Sequence, residues 1–175
     1  MFEKILVCLD GSELAEQILP YAVEEARRFQ SQVVLLQVVH EHVIITPPYP
    51  GTNPQQVETR GMLERMEQRI EQANNYLEVV ANQVRLAGLG VESVVLEGPP
   101  GETIDSYANE NDIGLIAIAT HGRGGLGRAI FGSVADYVLR KSWLPILVVR
   151  TTRPAAAPEE PEEKPEDKEE KSSAE

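Results

Sequence analysis

Five glycines and a serine crowd into one short stretch, Ala119-Thr-His121-Gly122-Arg123-Gly124-Gly125-Leu-Gly127-Arg128-Ala-Ile-Phe-Gly132-Ser133. A run this rich in glycine can take up positive φ and bring backbone N–H groups close to a ligand. The helix predicted to begin near Gly132 adds N–H donors that lack intrahelical partners, together with the positive end of its dipole. These features make a cradle for an anion, and phosphate is its natural guest. His121, Arg123 and Arg128 add a local positive bias.

Two familiar phosphate motifs do not account for this stretch. Gly122-x-Gly124-x-x-Gly127 has the spacing of a dinucleotide fingerprint, but that fingerprint belongs to the first strand-helix unit and needs an acid at the end of the next strand. Here it follows the fourth predicted strand and the fifth ends at Arg150, which argues against nicotinamide binding. The Gly-x4-Gly-Lys-[Ser/Thr] run of a P-loop ATPase does not occur. Asp10, at the end of the first predicted strand, is a poor neighbour for pyrophosphate and a reasonable acceptor for a ribose or base.

Other reactive side chains read more simply. Ser133 has no histidine and carboxylate motif around it, so a cap or phosphate contact is preferred over a nucleophile. His40-Glu41-His42 puts two histidines on one strand face with no third ligand spaced to help, and a solvated strand end is the simpler reading. Cys8, the only cysteine, lies in an apolar run and reads as a small buried hydrophobe. No metal site is predicted, and no residue is assigned a catalytic role.

The elements that must position these residues follow from periodicity. Ile5 to Leu9, Gln32 to Val39, Val91 to Leu96, Ile113 to Ala119 and Ile146 to Val149 read as buried strands. One helix is predicted from the N-cap Ser12 through Phe29, its apolar face formed by Leu14, Ile18, Tyr21, Ala22, Ala26 and Phe29. A long helix carries Met62, Met66, Ile70, Ala73, Leu77, Val80 and Val84 and ends at Gly88 and Gly90. A short helix holds Ile104 and Ala108, and a last one Val134, Val138 and Leu139. The segment from His40 to Val57, with four prolines, is predicted as a long connection, a lid or contact surface.

Strands alternating with helices at this spacing predict an α/β fold: a single doubly wound domain, a five-stranded parallel sheet with helices on both faces. Ligands of such sheets lie beyond the carboxyl ends of the strands, so Asp10, Val38 with Val39, and Ala119 onward are expected to converge there.

The chain has 175 residues, 16 basic against 28 acidic, for a net charge of −12. Half of that charge lies from Pro154 to Glu175, where nine acids and three lysines occur. One domain over residues 1–153 and a disordered acidic tail over 154–175 are expected. An acidic body argues against general affinity for nucleic acid or membrane, so a phosphate ligand needs a local site. The start of the chain lacks a secretory pattern and no apolar run reaches spanning length, so a cytoplasmic location is expected.

The arrangement Ala119-x2-Gly122-x9-Gly132-Ser133, with Ile5-Leu6-Val7-Cys8-Leu9-Asp10-Gly11-Ser12 at the start and Pro145-Ile-Leu-Val-Val149 at the end, closely resembles the universal stress protein family over about residues 2 to 150. The resemblance implies a Rossmann-like fold of the adenine nucleotide hydrolase type and ATP as ligand; Mg2+, held mainly by phosphate oxygens with Asp10 assisting, is a companion that hydrolysis would call for. It places Gly122, Gly132 and Ser133 at the phosphates, Asp10 at the ribose or adenine end and Val38 at the adenine face. Cys8, Ala119, His121, Arg123, Gly124, Gly125 and Val134 complete the cofactor-binding set. Ala119 stands where the motif has its first glycine, a position at which a methyl can crowd the backbone's approach to a ligand. The resemblance also implies a homodimer paired through the last strand, Pro145 to Arg150.

The leading expectation is therefore an ATP-binding, dimeric, nucleotide-responsive signalling module of the stress response. The alternatives are a dimeric scaffold without useful nucleotide affinity and a slow Mg-dependent ATPase drawing charge from Arg123 and Arg128. A protein partner is open.

Overall fold

Runs of Val, Ile and Leu without polar interruption suit strands that are covered on both faces, and the structure builds them into one parallel sheet. The structure, a computed structural model, describes residues 1–40, 54–121 and 132–151, for 54–61 and 121 the backbone alone. Five strands, β1 (Lys4–Leu9), β2 (Gln32–Val39), β3 (Val91–Glu97), β4 (Leu115–His121) and β5 (Ile146–Thr151), alternate with helices α1 (Glu13–Glu16), α2 (Leu19–Phe29), α3 (Pro54–Leu86), α4 (Pro100–Glu110) and α5 (Ser133–Lys141). All ladders are parallel and the strand order is β3-β2-β1-β4-β5.

Alternate residues of the strands feed two cores. Ile5, Val7, Leu9, Val33 and Leu35 pack with Ala22 of α2 and Leu77 of α3. Leu6, Cys8, Val34, Leu36, Ile116 and Ile118 pack beneath α4 and α5, on Ile104, Ala108 and Val138. The first three helices thus cover one face and the last two the other. The sheet is doubly wound, and its order reverses between β1 and β4, where such folds hold their ligands.

The helix expected from Ser12 to Phe29 is two helices. Ser12 caps α1 as expected, its Oγ accepting from Ala15 N at 3.1 Å, but Pro20 lies in the first turn of α2. Proline has no N–H to continue the ladder and is welcome only where a helix begins. The break turns Tyr21 outward, 54% exposed, while Ile18, Ala22 and Ala26 stay buried. Phe29 is 37% exposed, its ring set edge-on to Phe2 at 4.9 Å.

Pro54 likewise opens α3, so the connection predicted through Val57 is helical from residue 54 onward; its earlier part, including Glu41 and His42, lies outside the described residues. On α5, Ala135 and Val138 are buried, and Leu139, expected inside, stands at the surface. The tail from Pro154 lies outside the described residues.

Candidate functional site

The carboxyl edge of the sheet has a notch at its centre. Leu9, the last residue of β1, pairs with Gln37, and β2 runs on through Val38 and Val39. On the other side the β1 ladder ends at Cys8 and Ile118, while β4 continues to His121 against Thr151 of β5. A short central strand between two longer neighbours leaves room for a ligand above its end. Asp10 and Gly11 form the floor. Gly11 has φ of +84°, a left-handed turn that suits glycine, and it lets the chain leave β1 for α1.

Asp10 is held there. Its Oδ1 accepts from Ser12 N at 2.9 Å and Ser12 Oγ at 2.6 Å, and the same Ser12 oxygen caps α1. Oδ2 has no hydrogen-bond partner among the described residues. One carboxylate oxygen is fixed and the other is open to a hydroxyl or amine.

Val38, half-buried, packs with the core under α4 and α5. Cys8 is part of that core as expected, and burial pushes its thiol up to about 12. Its side chain therefore offers neither a nucleophile nor a metal ligand at neutral pH. Ala119 packs toward the other face, with the core under α1 to α3. Among the described residues only Gln30 and Asp112 of the non-glycines take positive φ, so Ala119 holds ordinary strand geometry.

Gly132 is the N-cap of α5, in extended conformation, with no side-chain cap over the helix start. The first N–H groups of α5, from Ser133 and Val134 onward, are thus left to water or a ligand. Asp136 in that first turn is paired with Arg140 at 2.8 Å, which tempers its repulsion of an anion. His121 ends β4, beside the notch. Gly122, Arg123, Gly124 and Gly125, with Gly127 and Arg128, lie outside the described residues.

A cleft of about 610 Å³ opens from the notch toward α3, lined by Asp10, Gly11, Gln37, Arg69, Ala73 and Tyr76 among others. That is ample for a nucleoside-sized group. Arg69 Nη1 donates to His40 O at 3.0 Å, tying α3 to the end of β2. Burial first, then Glu16 and Asp10, push the Tyr76 phenol above its ordinary value. Gln37, Arg69 and Tyr76 were not singled out from the sequence. The signal for Gln37 is its polarity inside Val33-Val-Leu-Leu-Gln37-Val-Val39; the others announce themselves only once α3 is docked.

Among the described residues, no group of three or more His, Cys, Asp or Glu could hold a metal ion, and no helix is long and apolar enough to cross a membrane.

Residues 1–150 match the Universal stress protein family. The chain belongs to this family. Universal stress protein YxiE of Bacillus subtilis is 29% identical over 150 residues, covering 86% of this chain and all of the relative. Among solved structures, UspA of Lactobacillus plantarum superposes with a TM-score of 0.71 at 24% identity, over 85% of this chain and 98% of that one. The universal stress protein of Archaeoglobus fulgidus in complex with dAMP gives a TM-score of 0.56 at 22% identity, over 86% and 98%. As in these universal stress proteins, the sheet is an open α/β layer. The family's glycine motif begins here at Ala119, whose methyl is spent on the core.

Proposed function

We propose that this universal stress protein binds an adenine nucleotide, ATP first among them, at the carboxyl edge of its sheet. The observation that carries the reading is the notch above β1, where β2 and β4 both run past the end of β1 and the Asp10 carboxylate, held by Ser12 through one oxygen, lines a cleft with Val38 and Val39. Asp10 takes the ribose or base end and Val38 offers its backbone and apolar surface to the base. The uncapped start of α5, with Gly132 and Ser133, receives the phosphates, and the Gly122 to Gly125 segment completes the cradle. The dAMP complex of the Archaeoglobus relative supports an adenine nucleotide as the ligand class.

Where magnesium accompanies ATP, the phosphate oxygens would be its main ligands, since no group of three or more His, Cys, Asp or Glu among the described residues could hold it. Occupancy of the site is read as a signal in the cytoplasm by a dimer joined through β5. That strand is an edge whose Ile146, Leu147, Val148 and Val149 remain partly exposed, and such edges call for cover.

Calorimetric titration of the emptied protein with ATP, with and without magnesium, tests the reading, alongside mass identification of nucleotide released from fresh preparations. Binding near one ATP per chain, weakened by Ser133→Ala, is expected. No heat of binding and no released nucleotide would leave the dimeric scaffold as the better description.

A further inference from the structure

The last strand ends on the carboxyl edge of the sheet. Thr151, the final residue of β5, pairs with His121 of β4, and its Oγ1 donates to Thr120 O at 2.9 Å. The residues that follow therefore start beside the end of β4. α5, which returns the chain from the end of β4 to the start of β5, begins at this same edge.

Positive character meets there without a partner. The first N–H groups of α5 have no side-chain cap and carry the positive end of the helix dipole. Ile146 and Val148 pack with the core under α4 and α5, so strand alternation turns Arg150 to the α5 face as well. Arg150 is exposed and makes no ion pair with a described residue. Arg28, Arg85 and Arg140, in contrast, each hold a carboxylate of their own helix.

The sequence beyond β5 supplies the opposite sign. Twenty-four residues follow Thr151, and from Pro154 to Glu175 they include nine acids against three lysines. Eight of those acids fall in four pairs, Glu159-Glu160, Glu162-Glu163, Glu166-Asp167 and Glu169-Glu170. Two adjacent carboxylates offer N–H donors and a guanidinium what a phosphate offers, clustered anionic oxygens. A chain of this length extends to at most about 80 Å, and a five-stranded edge is about 20 Å wide, so the acidic pairs can reach the start of α5. Tethering of this kind gives an effective concentration in the millimolar range.

We propose that the acidic segment, residues 154–175, occupies the start of α5 and Arg150 in the empty protein and competes there with the phosphates of the nucleotide. This rests on the nucleotide reading above. Binding of the nucleotide then releases the segment, so that occupancy of the site changes the acidic surface the protein presents.

The test compares the natural chain with a full-length variant in which the Glu and Asp of the four pairs are replaced by Gln and Asn. ATP and inorganic tripolyphosphate are titrated into each at about 10 mM and about 0.1 M salt, where the Debye length is about 30 and about 10 Å. Anion binding to a cationic site ordinarily weakens as salt rises. In the natural chain the competitor weakens too, so its affinity for ATP is expected to hold or rise over this range, a result that needs no variant. The neutralised chain is expected to bind both ligands about fivefold tighter than the natural chain at the lower salt, with the gap closing at the higher. Amide NMR signals of residues 154–175 in the natural chain should move on addition of ATP to the positions of the isolated 154–175 peptide. Equal ATP affinity of the two chains at both salts would overturn the inference while leaving nucleotide binding intact. An affinity gap with segment signals that ATP does not move would also overturn it, because the segment would then act by long-range repulsion and not by occupying the site. Binding of ATP by neither chain would remove the nucleotide reading and this inference together.

Discussion

Asp10 Oδ1 receives both the backbone N–H and the hydroxyl of Ser12, at 2.9 and 2.6 Å, so the residue that caps α1 also sets the orientation of the carboxylate at the notch. Ser12→Ala removes the cap and the second hydrogen bond at once. A loss of about 1 kcal/mol in urea unfolding is expected for the cap, with ATP affinity reduced several-fold as the carboxylate gains rotational freedom. Ser12→Thr retains both contacts and should restore both readouts. Unchanged ATP affinity in Ser12→Ala would show that the nucleotide does not use a fixed Asp10.

Ala119→Gly restores the first glycine of the family motif. Because the methyl packs into the core under α1 to α3 and the backbone is ordinary strand, its removal should leave ATP affinity within about threefold and lower stability by about 0.5–1 kcal/mol through backbone entropy. Calorimetry and thermal melts check this. A change from no binding to clear binding would favour the scaffold reading for the natural chain.

Gly101 is where α4 and α5 touch. A Cβ there would lie 2.6 Å from Tyr137 Cγ and 2.9 Å from its Cβ, too close for the ring alone to yield. Gly101→Ala should therefore destabilise by about 1–3 kcal/mol, as overpacking does. Adding Tyr137→Ala should relieve much of that loss, a non-additivity that a double-mutant cycle in urea would measure.

The Cys8 thiol gives the protein an alkaline weakness. Its value rises from 9.0 to about 12 on folding because burial disfavours the thiolate, so the folded state holds its proton more tightly than the unfolded chain. Stability is then fully present below pH 9 and is lost as the pH climbs toward 12. Cys8→Ala should flatten that slope in unfolding curves measured between pH 8 and 10.5. Iodoacetamide should label the natural chain only as fast as it unfolds.

Trp143 is 96% exposed, three residues before the edge strand β5 begins at Ile146. If β5 joins two copies, the indole is placed to be covered by the partner. Trp143→Ala should keep the melting temperature of the monomer, since a fully exposed side chain contributes within about 0.5 kcal/mol, and should shift sedimentation toward monomer at micromolar concentration. Identical sedimentation would place the indole outside the dimer contact.

The order of elements, the parallel sheet, the buried strands β1, β2 and β4 and the N-cap at Ser12 were legible in the chain because each rests on local rules: apolar runs of strand length, helical spacing and short capping sequences; Val91 to Leu96 and Ile146 to Val149 read as buried too, yet they are the sheet's edges and only partly covered. The meeting of Asp10 and Val38 at one cleft followed from where strands of a doubly wound sheet must end. Pro20 was visible too, yet the spacing of Tyr21 and Phe29 suggested an unbroken face. Only the packed helix pair shows that a missing N–H outweighs that pattern.

What the tertiary structure decided depends on neighbours far apart in sequence. Whether the methyl of Ala119 meets a ligand or the core is settled by which face of β4 it occupies. The notch exists because β1 stops short of β2 and β4, a matter of register between strands. Gln37 becomes part of a cleft wall only when α3, some forty residues away along the chain, packs beside it. A sequence states which atoms can donate or accept, whereas burial and pairing belong to the assembled fold.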